Sequence, residues 1–324
     1  MAYTLADMKR SSQDIIKKGV IDVFRKDSPI MDAMTFETSS TLAVKLMRTK
    51  TMPSVVTRNI GEAYTESKAV LESVEESVAL LGGYIDIPKE LLKDKSTLID
   101  QRAMQTKQFV RSMAYKWNDM FINGDPSSDP KGIAGLAYRV ANDVTSQYVV
   151  AAASTGLDVS ADASTLSTQQ GQLMDKIDEL IHMCDGHQAD YLLMNDTMYM
   201  RLVSALRGAG MWATTKDLFG VDVATWGPGG PKIVDVGYKA DQSTRIITNT
   251  ETFAGLLTGG GQTSIYAVKF GDEYLKCFQF QPLEVTDVGL LESGVSVRTI
   301  IDWGVGLYFA NPRSFARLYG LIAA

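Results

Sequence analysis

The chain is poor in the residues that most enzymes and secreted scaffolds depend on. Its 324 residues include two cysteines, Cys184 and Cys277, and two histidines, His182 and His187. Two cysteines cannot build a disulfide framework, which points to a reducing compartment. No apolar run approaches the length of a membrane helix, and the opening MAYTLADMKRSSQD lacks the apolar centre of a signal peptide. The expectation is a soluble protein, intracellular when made. A basic cluster is also missing. Net charge is −6, and Lys9, Arg10, Lys17, Lys18, Arg25 and Lys26 are interleaved with Asp7, Asp14, Asp22 and Asp27. That excludes the basic face usual in nucleic-acid binders.

Catalytic signatures are equally scarce. Gly259-Gly260-Gly261-Gln262-Thr263 is glycine-rich, but no Gly-Lys-Ser/Thr follows, so it reads as a turn between strands rather than a phosphate loop. No Gly-x-Ser-x-Gly elbow is present. His182-Met183-Cys184-Asp185-Gly186-His187 gathers possible zinc donors. Its close spacing matches no paired-ligand motif, and a helix end with a glycine stop accounts for it. His182, Cys184 and His187 are the only support for the rival reading, a metal-dependent hydrolase. The expectation is no enzyme, no metal and no cofactor.

What the chain does have is apolar pattern. It is 45% hydrophobic and 22% charged, enough for a large core in one domain or two. The longest pattern runs from Lys95 to Asn123. Leu98, Phe109, Met113, Trp117, Met120 and Phe121 recur at three- and four-residue spacings, the mark of one helix face. Ser96 or Thr97 can cap its start. Asn123-Gly124 suits a left-handed exit, and Asp125-Pro126 bars continuation. Such a helix is roughly 40 Å long, a spine for other elements to lie against.

Either side of the spine the pattern changes. Residues 1–37 read as an arm, with Ile15, Ile16, Val20, Ile21 and Phe24 forming a short amphipathic helix closed by Ser28-Pro29. Residues 38–87 read as a long two-stranded excursion. Leu42, Val44 and Leu46 alternate, Pro53 and Gly61 break the polar middle, and AVLESVEESVALL returns. An isolated two-stranded ribbon is marginal in water, so it needs support from its own sheet or from a neighbouring subunit. YIDIP reads as a short strand before the spine. Gly132-Ile133-Ala134-Gly135-Leu136 reads as a turn into a short strand. Residues 169–210 read helix–strand–helix, with Asn195-Asp196 capping the second helix. Lys232–Val234, Arg245–Ile247 and Ser264–Val268 are strand-like. The clearest strand is near the end, where Val295, Val297, Thr299, Ile301, Trp303, Val305, Leu307 and Phe309 occupy alternate positions. Asn311-Pro312 ends it, and a short element follows.

Four blocks in this order resemble the major capsid proteins of tailed bacteriophages, the fold first described for phage Hong Kong 97. The first is Met52-Pro53-Ser54-Val55, Arg58-Asn59 and Gly61-Glu62, returning through Leu80-Leu81-Gly82-Gly83. The second is Phe121-Ile122-Asn123-Gly124-Asp125 followed by Gly132-Ile133-Ala134-Gly135-Leu136. The third is Ala189-Asp190-Tyr191-Leu192-Leu193-Met194-Asn195. The fourth is Phe270-Gly271-Asp272, the long strand, and Asn311 through Leu318.

The resemblance implies an α+β capsid fold with a spine helix, an extended two-stranded loop, and peripheral and axial domains. It divides the chain into an N-terminal arm (1–37), an extended loop (38–87), a peripheral domain with the spine (88–141), an axial domain (142–283) and a peripheral return (284–324). It implies a shell subunit that self-assembles into pentamers and hexamers of an icosahedral capsid around double-stranded DNA. A cellular nanocompartment shell of the same fold is the near alternative. Implied partners are further copies, a separate scaffolding protein and a portal protein, with a decoration protein possible in principle, DNA touched weakly and no membrane. The implied location is the virion, with synthesis in the host cytoplasm. Some members of the family cross-link subunits. Lys45, Lys50 and Asn311 lie in broadly suitable regions, but no motif assigns them, and cross-linking is not expected.

Overall fold

The computed structural model describes residues 28, 30–31, 34–90, 101–152, 156–160, 166–210, 212–216, 222–251 and 261–323. The arm helix around Ile15–Phe24, the first residues of the spine and the first two glycines of the 259–261 run lie outside these residues.

In chain order the strands and helices are β1 (Phe36–Thr38), β2 (Ala43–Thr51), β3 (Val70–Ser77), β4 (Ala79–Pro88), α1 (Gln101–Asn123) and α2 (Leu136–Asn142). Then come β5 (Tyr148–Val150), β6 (Leu157–Asp158), α3 (Leu166–Met183), β7 (Tyr191–Met194), α4 (Asp196–Gly208), β8 (Trp212–Lys216) and β9 (Asp222–Trp226). The chain ends with β10 (Lys232–Asp235), β11 (Thr263–Val268), β12 (Leu275–Leu290), β13 (Ser296–Phe309) and β14 (Phe315–Ile322). Among the described residues these form three sheets: β1-β12-β13-β4, β5-β14-β11-β7-β10-β9-β8 with β6 also on β14, and the ribbon β2-β3.

The spine helix lies on the first sheet. Val110, Met113, Trp117 and Phe121 are buried, and the Trp117 ring meets Trp303 of β13 edge-on with centroids 5.4 Å apart. Phe109 is partly buried and sits over Gly83 of β4, where a Cβ would come within 2.8 Å of its ring. Gly83 therefore lets helix and sheet close together. β4 runs antiparallel to β13 from Ala79↔Val305 to Pro88↔Ser296. Every second residue of β13 from Thr299 to Phe309 is buried, as the alternation predicts.

The second sheet is covered on both faces. β11 sends Tyr266 and Val268 into the core shared with α1 and Ile265 and Ala267 into a second core under α3 and α4. Its six residues are all buried, the pattern of a central strand. Asn195 caps α4 through the Met198 N–H at 2.9 Å, as its sequence predicts.

Several expectations need correction. The segment AVLESVEESVALL is two strands separated at Val78: β3 stays in the ribbon, while β4, including YIDIP, joins the first sheet. The excursion is thus 43–77 rather than 38–87. The division at 283/284 also differs from the sheets. β12 already belongs to the first sheet from Leu275, and β14 returns to the second, paired with β11. Hydrophobic pattern marks a strand but not its neighbours, so sheet membership was invisible. The described residues Ile30, Met31, Met34 and Phe36 are buried and belong to the core rather than to an arm. Ser28 donates to Asn118 Oδ1 at 2.5 Å.

Leu136 opens a helix and not a strand, because Leu136 and Val140, one turn apart, both fill the core. Gly124 does not adopt a positive φ. Its role is close approach: a Cβ there would lie 2.3 Å from the Ile133 oxygen, and Gly135 N–H donates to its carbonyl at 2.8 Å. Arg245–Ile247 forms only an isolated bridge, Tyr238 with Arg245.

Candidate assembly surface

Among the described residues, the ribbon and its tip carry the most heavily exposed apolar side chains. β2 and β3 pair antiparallel with Leu46 opposite Val74 and Val44 opposite Glu76. Nine residues at about 3.3 Å each make a ribbon of roughly 30 Å. Its two faces differ. One carries Leu46 and Glu76, both buried, with Val44, Arg48, Glu72 and Val74 partly so. The other carries Lys45, Met47, Leu71, Ser73 and Glu75, all exposed.

Beyond the paired strands, residues 52–69 form an extended tip with local order. Asn59 N–H donates to Glu62 Oε2 at 2.9 Å, Glu62 N–H to the Asn59 carbonyl at 3.2 Å, and Arg58 to the Glu62 carbonyl at 3.0 Å. Gly61 takes the left-handed conformation that closes this turn. The Asn59 donors hold the Glu62 carboxyl below its ordinary range. Ser67 Oγ accepts from Ser54 N–H at 2.8 Å, and Arg58 lies 4.6 Å from the Tyr64 ring centroid. Around this frame Met52, Val55, Val56, Ile60 and Tyr64 are all exposed, Val55 at 96% and Ile60 at 106%. Exposed apolar side chains gathered on one projecting segment suit a surface that another body covers.

The root of the ribbon is fixed to the body by a buried ion pair. Arg139 of α2 donates from both terminal nitrogens to the two Glu76 oxygens, each at 2.7 Å. The two side chains are 1% and 10% exposed. Arg139 Nε donates to the Ala134 carbonyl at 3.0 Å, and the Phe309 ring lies 4.9 Å from the guanidinium. Four residues farther out along the strand, Arg48 meets Glu72 at 3.0 Å, also beside Phe309. The sequence gives no signal for this pair, since 63 residues separate its members.

The sequence-derived zinc donors do not converge. Cys184 is fully buried, its Sγ 4.0 Å from the carbonyls of Leu180 and Ala267, and burial pushes its thiol up to about 12. His182 and His187 stand outside, their rings stacked 3.7 Å apart, with His187 Nδ1 at 2.8 Å from the His182 carbonyl. Among the described residues no group of three His, Cys, Asp or Glu side chains could hold a metal ion. Of the cross-link candidates, Lys45 is exposed on the ribbon 4.0 Å from Glu75, while Asn311 donates to Asp185 and accepts from the Arg313 N–H. The Lys50 side chain lies outside the described residues.

A lobed body with a long spine and a projecting, half-uncovered ribbon defines a subunit made to be completed by other subunits. Residues 12–171 match the family model described as Major capsid protein GP7. Solved structures of the same fold include the encapsulin of the holo-SrpI complex from Synechococcus elongatus PCC 7942 (TM-score 0.61, 14% identity, 90% of this chain and 86% of that one). The capsid of a native GTA particle is similar at TM-score 0.58 and 14% identity, over 97% of this chain and 93% of that one. The capsid of Myoviridae phage XM1 is similar at 0.51 and 16%, over 88% and 90%. No curated protein matches the chain in sequence. The chain has the tailed-phage major capsid fold, and together with the match of its residues 12–171 to a major capsid family model this supports a shell subunit.

Proposed function

We propose that copies of this protein associate as pentamers and hexamers to build the icosahedral head of a tailed phage around double-stranded DNA. The observation that carries this reading is the ribbon 43–77, anchored at its root and apolar at its uncovered tip. In closed rings each ribbon meets the next copy, so one contact is repeated throughout the shell. The lobe built on β1-β12-β13-β4 and α1 takes the place of the peripheral domain. The lobe built on the larger sheet takes that of the axial domain, whose loops then line the capsomer centres.

A separate scaffolding protein and a portal protein are the further partners, with a decoration protein as an optional one. Contact with DNA is weak and screened by salt. The outer side of α1 suits it, bearing the exposed Lys107, Arg111 and Lys116, with the partly buried Asp119 held by Lys239. The shell is made in the host cytoplasm and ends in the virion. Electron microscopy and sedimentation of the purified protein test the reading. Closed particles are expected, and a monomer at every concentration, with or without partner proteins, would sink it. The encapsulin likeness favours one second reading, a cellular compartment shell. DNA inside particles purified from their source supports the phage head, and a packaged enzyme supports the compartment.

A further inference from the structure

We infer that Glu76 and Arg139 are positioning residues for assembly: their pair sets the angle at which the ribbon leaves the body. This rests on the shell reading and names what aims its main contact. Arg139 is immobilised from three sides. α2 is pinned by the buried Leu136 and Val140, its start is joined to the end of α1 through Gly135 N–H and the Gly124 carbonyl, and Arg139 Nε is held by the Ala134 carbonyl. Glu76 sits two residues before Val78, where the chain leaves the ribbon and enters β4. A bidentate pair fixes direction as well as distance, because the planar guanidinium fork accepts a carboxylate in one plane. The ribbon's outer face, with Lys45, Met47, Leu71, Ser73 and Glu75, is exposed. A small rotation at Glu76 is therefore carried outward, past Leu46 and Arg48, to the exposed tip at 52–69. Phe309 closes the site: its ring lies beside the guanidinium of Arg139 on the body and that of Arg48 on the ribbon.

Apolar contacts at the root could hold the ribbon to the body, but they are tolerant of angle. The two contributions can be separated, since replacing a buried ion pair by apolar residues of similar size tends to preserve stability while removing its directionality. The decisive protein is the double variant Glu76→Met/Arg139→Met, compared with wild type by thermal unfolding, by hydrogen exchange of residues 43–51 and 70–77, and by the diameter distribution of assembled particles. The double variant is expected to unfold at or above the wild-type temperature. Ribbon amides should exchange at least tenfold faster, and particles should be heterogeneous in diameter or fail to close. Wild-type protection together with uniform wild-type particles would overturn the inference. If the double variant does not fold, Arg139→Lys carries the same test, because it keeps the charge and loses the fork. Wild-type protein that never forms particles would remove the shell reading instead, and the exchange measurement on the monomer would still decide the role of the pair.

Discussion

Trp117 and Ile60 are both large apolar residues, and they meet opposite fates. Trp117 has no exposure and touches Trp303, while Ile60 is wholly exposed at the tip of the ribbon. Among the described residues the body buries most of its large apolar side chains, while the ribbon and its tip leave most of theirs exposed. Both regions are locally ordered, but by different forces. The body buries apolar surface, worth about 25 cal/mol per Å². The tip is shaped by hydrogen bonds around Asn59 and Glu62, which fix a turn without burying anything. A region that has shape but no burial is stable only when another molecule supplies the burial. That is the physical content of calling this chain a subunit.

The contrast can be tested by substitution. Trp117→Ala should cost the isolated chain about 3–5 kcal/mol, seen as a lower denaturation midpoint. A cost below about 1 kcal/mol would show that the two lobes do not share a core there. Arg139→Ala leaves Glu76 buried without its partner and should cost about 3 kcal/mol, more than any substitution at the tip. Ile60→Asp should change the stability of the isolated chain by less than about 0.5 kcal/mol, yet abolish particle formation in sedimentation. If particles still form, the tip is not an assembly contact.

The smallest effect concerns Asp235. Burial pushes its carboxyl above the ordinary value, reinforced by the charge of Asp196 and opposed by the Gly237 N–H. Asp196 itself is held at about 2, chiefly by Arg245. A raised carboxyl pKa means that ionisation disfavours the fold. Asp235 therefore lowers stability as pH rises from about 4 through its raised folded pKa. Asp235→Asn, which keeps an oxygen for the Gly237 N–H, should raise the melting temperature at pH 7 and leave it unchanged near pH 3. An unchanged melting temperature at both values would remove this account. Asp196 has the opposite sign: its contribution is present above about 4 and is lost as pH falls through about 2.

Much of the fold was legible from residue pattern. The three-and-four spacing of α1, the alternation of β13 and the Asn195 cap all stand as their sequences predict. So does the ribbon, because valine and leucine at alternate positions with Pro53 and Gly61 between them suit two strands and a tip. The errors lie where pattern is silent about partners. β4 looked like the end of the ribbon, and β14 like a short appendix to β13. Each pairs elsewhere, because a strand's apolar face can be satisfied by any sheet of matching register. Leu136 and Val140 fit a helix or a strand on spacing alone, and burial decided.

The sequence by itself determined the local elements, the scarcity of catalytic side chains and a two-stranded excursion, since each follows from the periodicity or count of residues nearby. Only the tertiary structure decided which sheet each strand joins, that Cys184 turns into the core away from His182 and His187, and that Glu76 meets Arg139. The reason is the same in all three cases. Local propensity acts over a few residues, whereas these contacts join positions tens of residues apart and exist only once the core has brought them together.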